Sequence, residues 1–241
     1  YGNAKWGPED FEPIAATGRS GVVIAVRKNS PFKDLAGLMK AATKQPNTVV
    51  FGTNLGAPSH YSALFLQNTK TGAEFRFTQT GGGAKRLMRL LGGHIEVTGF
   101  SVAEYLNFRD KGIRALAVLS EKRESTLPDL RTAIEQGFDV RYSIMHFWWA
   151  PKGTPPERVA ALAEIIQRAF QSKAVRAYLK KKRIVPIFLS DNELIKTVTE
   201  RSAQLEVIVA ERPGFLPPLE WIALGLVLVF GVMVWREKSS S

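Results

Sequence analysis

The chain has 241 residues, 45% apolar and 23% charged, with 33 Lys+Arg against 22 Asp+Glu for a net charge of +11. That length suffices for one or two domains with a real core. Cysteine is absent, which excludes disulfides, thiolate catalysis and cysteine-ligated metals. The positive charge is scattered, with no basic stripe interleaved with aromatics, so nucleic acid is not expected as a partner.

In chain order, residues 21–26 read as a strand, and Ser30-Pro31 opens a helix that Pro46 closes. A strand at 49–52, a Gly/Pro turn and a helix over 59–70 follow. Residues 75–77 are strand, Gly81-Gly82-Gly83 leads into a helix over 84–91, residues 95–97 are strand, and 102–111 helix. A strand at 116–118, a loop through Leu127-Pro128-Asp129, a short helix and an aromatic strand at 145–150 come next. Helices over 157–171 and 173–182, a strand at 185–189 and a last helix from Glu193 complete the series. Strand and helix alternating at this spacing predict βαβ units and a mostly parallel sheet.

Residues 221–235 carry no charge, and the segment 217–236 has the roughly 20 residues needed to cross the hydrocarbon core. Trp221 and Trp235 stand at its ends, where indoles favour the interface. Arg236 and Lys238 follow, so the positive-inside tendency puts the C-terminus in the cytoplasm and the preceding domain outside it. Pro217-Pro218 suits a stiff link between the two.

Two loops are candidates for binding. Thr80, Gly81, Gly82 and Gly83 lie between a strand and a helix, so backbone N–H groups converge at a positive helix end suited to a carboxylate or phosphate. Thr53, Asn54, Ser59 and His60 belong to a second such loop. Two of these at the carboxyl ends of parallel strands describe a ligand crevice. His60, His94 and His146 are not at metal-ligand spacing, and no nucleophile motif or carboxylate pair is present, so neither a metal, a cofactor nor catalysis is expected.

The series Phe11-Glu12-Pro13-Ile14-Ala15, Gly56-Ala57-Pro58-Ser59-His60, Gly82-Gly83-Ala84 and Leu90-Leu91-Gly92-Gly93-His94-Ile95-Glu96 resembles the substrate-binding proteins of tripartite tricarboxylate transporters, the TctC or Bug family. Arg114-Ala115-Leu116-Ala117-Val118, Leu127-Pro128-Asp129, Glu135-Gln136-Gly137 and Ala150-Pro151-Lys152-Gly153-Thr154-Pro155 extend the likeness in family order over residues 5–211. The resemblance implies a periplasmic two-lobed α/β fold of the Venus-flytrap type with parallel sheets and a small organic acid in the cleft. Together with the apolar segment, which is unusual for that family, it divides the chain into a binding-protein domain at 1–212, a linker at 213–220, a transmembrane helix at 217–236 and a tail at 237–241. It also implies a further N-terminal segment, so the first lobe is expected to be incomplete.

Departures from the family pattern are Thr80 in place of an aromatic, Phe100 after the 95–97 strand, and Phe147 where a glycine faces the ligand. Bulk at Phe100 and Phe147 is expected to crowd the cleft. Two functions follow. In one, the domain is a repurposed accessory subunit of a larger membrane complex at the inner membrane, with lipid and transmembrane subunits as partners. In the other, it is a tethered binding protein that delivers a small carboxylate to a permease.

Overall fold

The computed structural model describes residues 7–210. Strands are β1 (Phe11–Arg27), β2 (Val50–Thr53), β3 (Arg76–Gln79), β4 (Val97–Ser101), β5 (Ile113–Val118), β6 (Ser143–Pro151) and β7 (Val185–Leu189). Helices are α1 (Leu35–Lys44), α2 (Pro58–Asn68), α3 (Gly83–Leu91), α4 (Val102–Phe108), α5 (Pro156–Gln171), α6 (Lys173–Lys182) and α7 (Asp191–Ala210). The expected span at 217–236, with Trp221, Trp235, Arg236 and Lys238, lies outside the described residues. Among those described, no helix is long and apolar enough to cross a membrane.

The organising element is β1, which joins the sequence run 21–26 and the earlier Phe11–Ala15 motif into one strand of 17 residues. Its C-terminal half lies between β4 and β5 in a sheet of order β3-β2-β4-β1-β5. Its N-terminal half lies between β6 and β7. All four of these pairings are antiparallel, whereas β2 pairs in parallel with β3 and β4. The expectation of mostly parallel sheets is therefore corrected to mixed sheets. Periodicity identifies strands but carries no information on the direction in which a distant partner runs.

The alternation of β1 explains the layers. Val22, Ile24 and Val26 face a core with Leu35, Leu38 and Met39 of α1 and Leu64 and Leu66 of α2. Val23 and Ala25 point the other way, onto Leu87 and Leu90 of α3 and Val102 and Tyr105 of α4. Further along, Ala16 packs with Met145, Phe147 and Leu194 under α7, while Ile14 and Ala15 pack with Val159, Ala163 and Ile166 of α5. Each half of β1 thus centres a lobe with helices on both faces.

Local chemistry moves two boundaries. The first helix begins at Leu35, not at Ser30-Pro31, because the Asp34 carboxylate accepts the Gly37 N–H at 2.7 Å and caps it. The fourth strand runs Val97–Ser101, later than 95–97, because Ser101 and Glu104 form a capping box that starts α4 at Val102.

Candidate functional site

Strands β3, β2 and β4 run side by side in parallel, so their carboxyl ends reach one edge and lead into α3, α2 and α4. The first two connections are the loops singled out from sequence, and they are tied together. Thr80 donates its backbone N–H to the Thr53 carbonyl at 2.9 Å and its hydroxyl at 3.1 Å. Asn54 Oδ1 accepts the Gly81 N–H at 2.7 Å. Gly81 sits at φ +87°, a left-handed conformation that favours glycine, and the chain then enters α3 with Gly82 as its N-cap.

The 53–60 loop is closed by the first turn of its own helix. Ser59 Oγ lies 2.8 Å from Thr53 Oγ1, and His60 Nδ1 accepts the Gly56 N–H at 3.1 Å. The His60 ring is fully buried and stands perpendicular to Phe77, with centroids 4.7 Å apart. Burial lowers its pKa from 6.5 to about 4, so the ring is neutral at pH 7. With Nδ1 accepting, the hydrogen-bond network assigns the proton to Nε2.

The other wall comes from the second lobe. Ile144 and His146 of β6, Tyr178 and Lys182 of α6, and Ile184 face Ala57, Pro58, Ser59, Arg86 and Glu104 across a cleft of about 480 Å³, with Ser20 and Val22 of β1 at its base. Burial lowers the pKa of His146 as well. The charged groups in the cleft are thus Arg86, Lys182 and Glu104.

Arg86 is the unusual member. It is 7% exposed, its Nη1 donates to the Gly81 carbonyl at 3.2 Å, and its Nη2 lies 3.5 Å from both oxygens of Glu104. The guanidinium sits over the Phe100 ring, 5.5 Å from the centroid. Its Nε is buried with no hydrogen-bond partner among the described residues. Desolvation lowers its pKa from the ordinary arginine value, partly opposed by the Glu104 charge.

The residues named from sequence divide into lining and scaffold. Ser59 lines the cleft. Thr53, His60 and Thr80 are buried, and with Asn54 they hold the loops in place. Gly81, Gly82 and Gly83 shape the turn that presents Arg86. Phe100 borders the cleft, yet its side chain is fully buried in the core beneath α3 and α4. Phe147 faces the opposite side of β6, packing with Met145, Ala16 and Leu194, so the expectation that it crowds the cleft is corrected. In β6 the alternation sends His146 to the cleft and Phe147 to the α7 core.

Sequence reasoning missed Arg86, Glu104, His146, Tyr178 and Lys182 as lining residues. One signal was present: Ser101-Val102-Ala103-Glu104 has capping-box spacing, which marks a helix start after a third strand. Nothing local marks the α6 residues, which arrive from the other lobe.

The family model "Tripartite tricarboxylate transporter family receptor" matches residues 1–213. Protein BugT of Bordetella pertussis is 28% identical over 188 residues, covering 77% of this chain and 57% of that protein. A UPF0065 protein from the tcbD-tcbE intergenic region of Pseudomonas sp. strain P51 is 31% identical over 209 residues, 82% of this chain and 61% of that protein. This chain therefore spans about three fifths of the length of these curated relatives. Among solved structures, Rpa4515 of R. palustris with adipate superposes at TM-score 0.74 with 26% identity, covering 87% of this chain and 71% of that one. A TctC solute-binding protein from Polaromonas, without ligand, superposes at 0.71 with 25% identity over 87% and 72% of the two chains. The mixed-sheet fold, the paired glycine-bearing loops and the family match over residues 1–213 lead to one assignment: the chain belongs to the tripartite tricarboxylate transporter receptor (TctC) family.

Proposed function

We propose that this chain is the receptor module of a tripartite tricarboxylate-type transporter and takes a small organic acid, of dicarboxylate size, in the cleft between its lobes. The observation that carries the reading is the buried Arg86 guanidinium in that cleft, beside a glycine loop at the start of α3 and opposite Lys182. A planar guanidinium suits bidentate recognition of a carboxylate, and the first N–H groups of a helix have no intrahelical partner. Lys182 on the opposite wall suits a second carboxylate, and the adipate bound to the R. palustris relative has two.

Bulk at Phe100 and Phe147 is one ground for an accessory-subunit role, beside the expected N-terminal segment and membrane span, and neither side chain fills the cleft. A binding role is therefore the better supported of the two. Residues 217–236 are read as a span that holds the domain at the periplasmic face of the inner membrane, near a permease; truncation after residue 212 is then expected to release the protein from the membrane fraction.

The test is calorimetric titration of the full chain with succinate, glutarate and adipate. Saturable binding of at least one, weakened about tenfold or more by Arg86→Met, is the expected result, since a buried charged contact is lost. No heat of binding with any of the three acids overturns the reading.

A further inference from the structure

The third connection, between β4 and α4, places a protein carboxylate where a ligand carboxylate belongs. Both oxygens of Glu104 lie 3.5 Å from Arg86 Nη2, and Oε2 carries a further task. Oε2 serves its own helix, accepting the Ser101 N–H at 2.9 Å and the Ser101 hydroxyl at 3.2 Å, while Ser101 Oγ accepts the Glu104 N–H at 3.2 Å. Oε1 reaches across to the first residue of α3, close enough that a Cβ on Gly83 would overlap it. Its polar partner there, among the described residues, is Arg86 Nη2, at 3.5 Å.

That distance is long for a guanidinium–carboxylate contact, which closes to about 2.7–2.9 Å when well made. Arg86 is nine-tenths buried, and its Nε has no partner among the described residues, so its donor capacity is not used up by the protein. The Glu104 side chain is 35% exposed, against 9% for Arg86, and both line the cleft, so the carboxylate is the more accessible member of the pair. Glu104 therefore occupies the cradle formed by Arg86 and the Gly83 end of α3 without satisfying it.

We propose that Glu104 is a resident carboxylate in the anion subsite, and that an acid entering the cleft binds by displacing it from Arg86. The proposal rests on the reading of the cleft as a carboxylate site and adds a specificity-determining residue to it. Two carboxylates cannot share one guanidinium without repulsion, so the Glu104 charge raises the threshold for binding and favours acids that bring a second carboxylate to Lys182. Monocarboxylates gain nothing at Lys182 and are held off.

Titration of the full chain and of Glu104→Gln with succinate, adipate and butyrate tests this. Glutamine keeps the capping-box spacing and so preserves the start of α4. The expected result is that Glu104→Gln binds the dicarboxylates about tenfold more tightly and that butyrate binding becomes measurable. Glu104→Ala, which removes the side-chain oxygens altogether, serves if the glutamine variant misfolds, and the same gain is expected. If wild type binds an acid and both variants bind it equally or more weakly, Glu104 is a positioning residue for Arg86; the proposal is then overturned while the carboxylate reading stands. If neither wild type nor either variant binds any of the acids, both fall together.

Discussion

The lobe built on β2–β5 and the lobe built on β6 and β7 share one strand yet bury their helices very differently. In the first, α1 buries Leu35, Leu38, Met39 and Ala42, and α2 buries eight of its 11 residues, because it is packed between the sheet and α7. In the second, the 16 residues of α5 include none that is buried, and α6 buries only Leu179. Ile165 of α5 and Ile195 of α7 are each 53% exposed. A helix with cover on one side still orders its backbone through propensity and caps, but it contributes less apolar burial. The candidate site straddles this difference. Its rigid wall, with the two tied loops and Arg86, belongs to the tightly packed lobe, and its other wall, with Tyr178 and Lys182, stands on a helix with little buried surface.

The tight packing of the first lobe is most exposed to substitution at Phe51. Phe51 is fully buried with its ring 5.3 Å from Phe75 and 6.2 Å from Phe77. Phe51→Ala is expected to cost about 3–5 kcal/mol in urea denaturation, through lost transfer energy and a residual cavity. A loss under about 1 kcal/mol would mean that this core is no tighter than the other.

Next in size is a pH effect from the same lobe. His60 titrates at about 4 in the fold against 6.5 for an ordinary histidine, because burial disfavours the imidazolium. The unfolded chain therefore binds the proton first. The contribution is complete above pH 6.5 and is lost as the pH falls toward 4, by about 3 kcal/mol for a shift of this size. Protonation also turns Nδ1 from an acceptor into a donor facing the Gly56 N–H, which opens the 53–60 loop. Denaturation series at pH 7 and pH 4.5 on wild type and His60→Gln check this: the variant is expected to lose less stability across the interval, and equal losses would remove His60 as the cause.

The smallest expected effect sharpens the contrast from the other side. Ile165→Ser, on the exposed face of α5, is expected to change stability by no more than about 0.5 kcal/mol. A cost of 2 kcal/mol or more, well above the roughly half-unit scale of surface substitutions, would show that another part of the protein covers this face in solution.

Much of the fold was legible because its signals are local. Helix α6 runs from the Ser172 cap to its lysine-rich end at Lys182, and strand β7 follows at Val185–Leu189, as the pattern predicts. Both glycine-bearing loops were recognisable from strand, turn and helix start read in succession, and the structure brings them together because β2 and β3 are parallel neighbours. Of Thr53, Asn54, Ser59 and Thr80, the four polar loop residues expected at a ligand, Ser59 lines the cleft, and the side-chain hydrogen bonds of all four tie the loops together.

The order and kind of most elements, the family, and the loops at the helix starts are written locally in the chain, because caps, glycines and hydrophobic periods act over a few residues. The tertiary structure alone decided that β1 runs through both lobes, that Phe147 turns from the cleft while His146 faces it, and that Arg86 meets Glu104. Arg86 and Glu104 are 18 positions apart on different helices. Their meeting depends on strand order and helix placement, and those follow from how the whole sheet buries its two faces rather than from any local pattern.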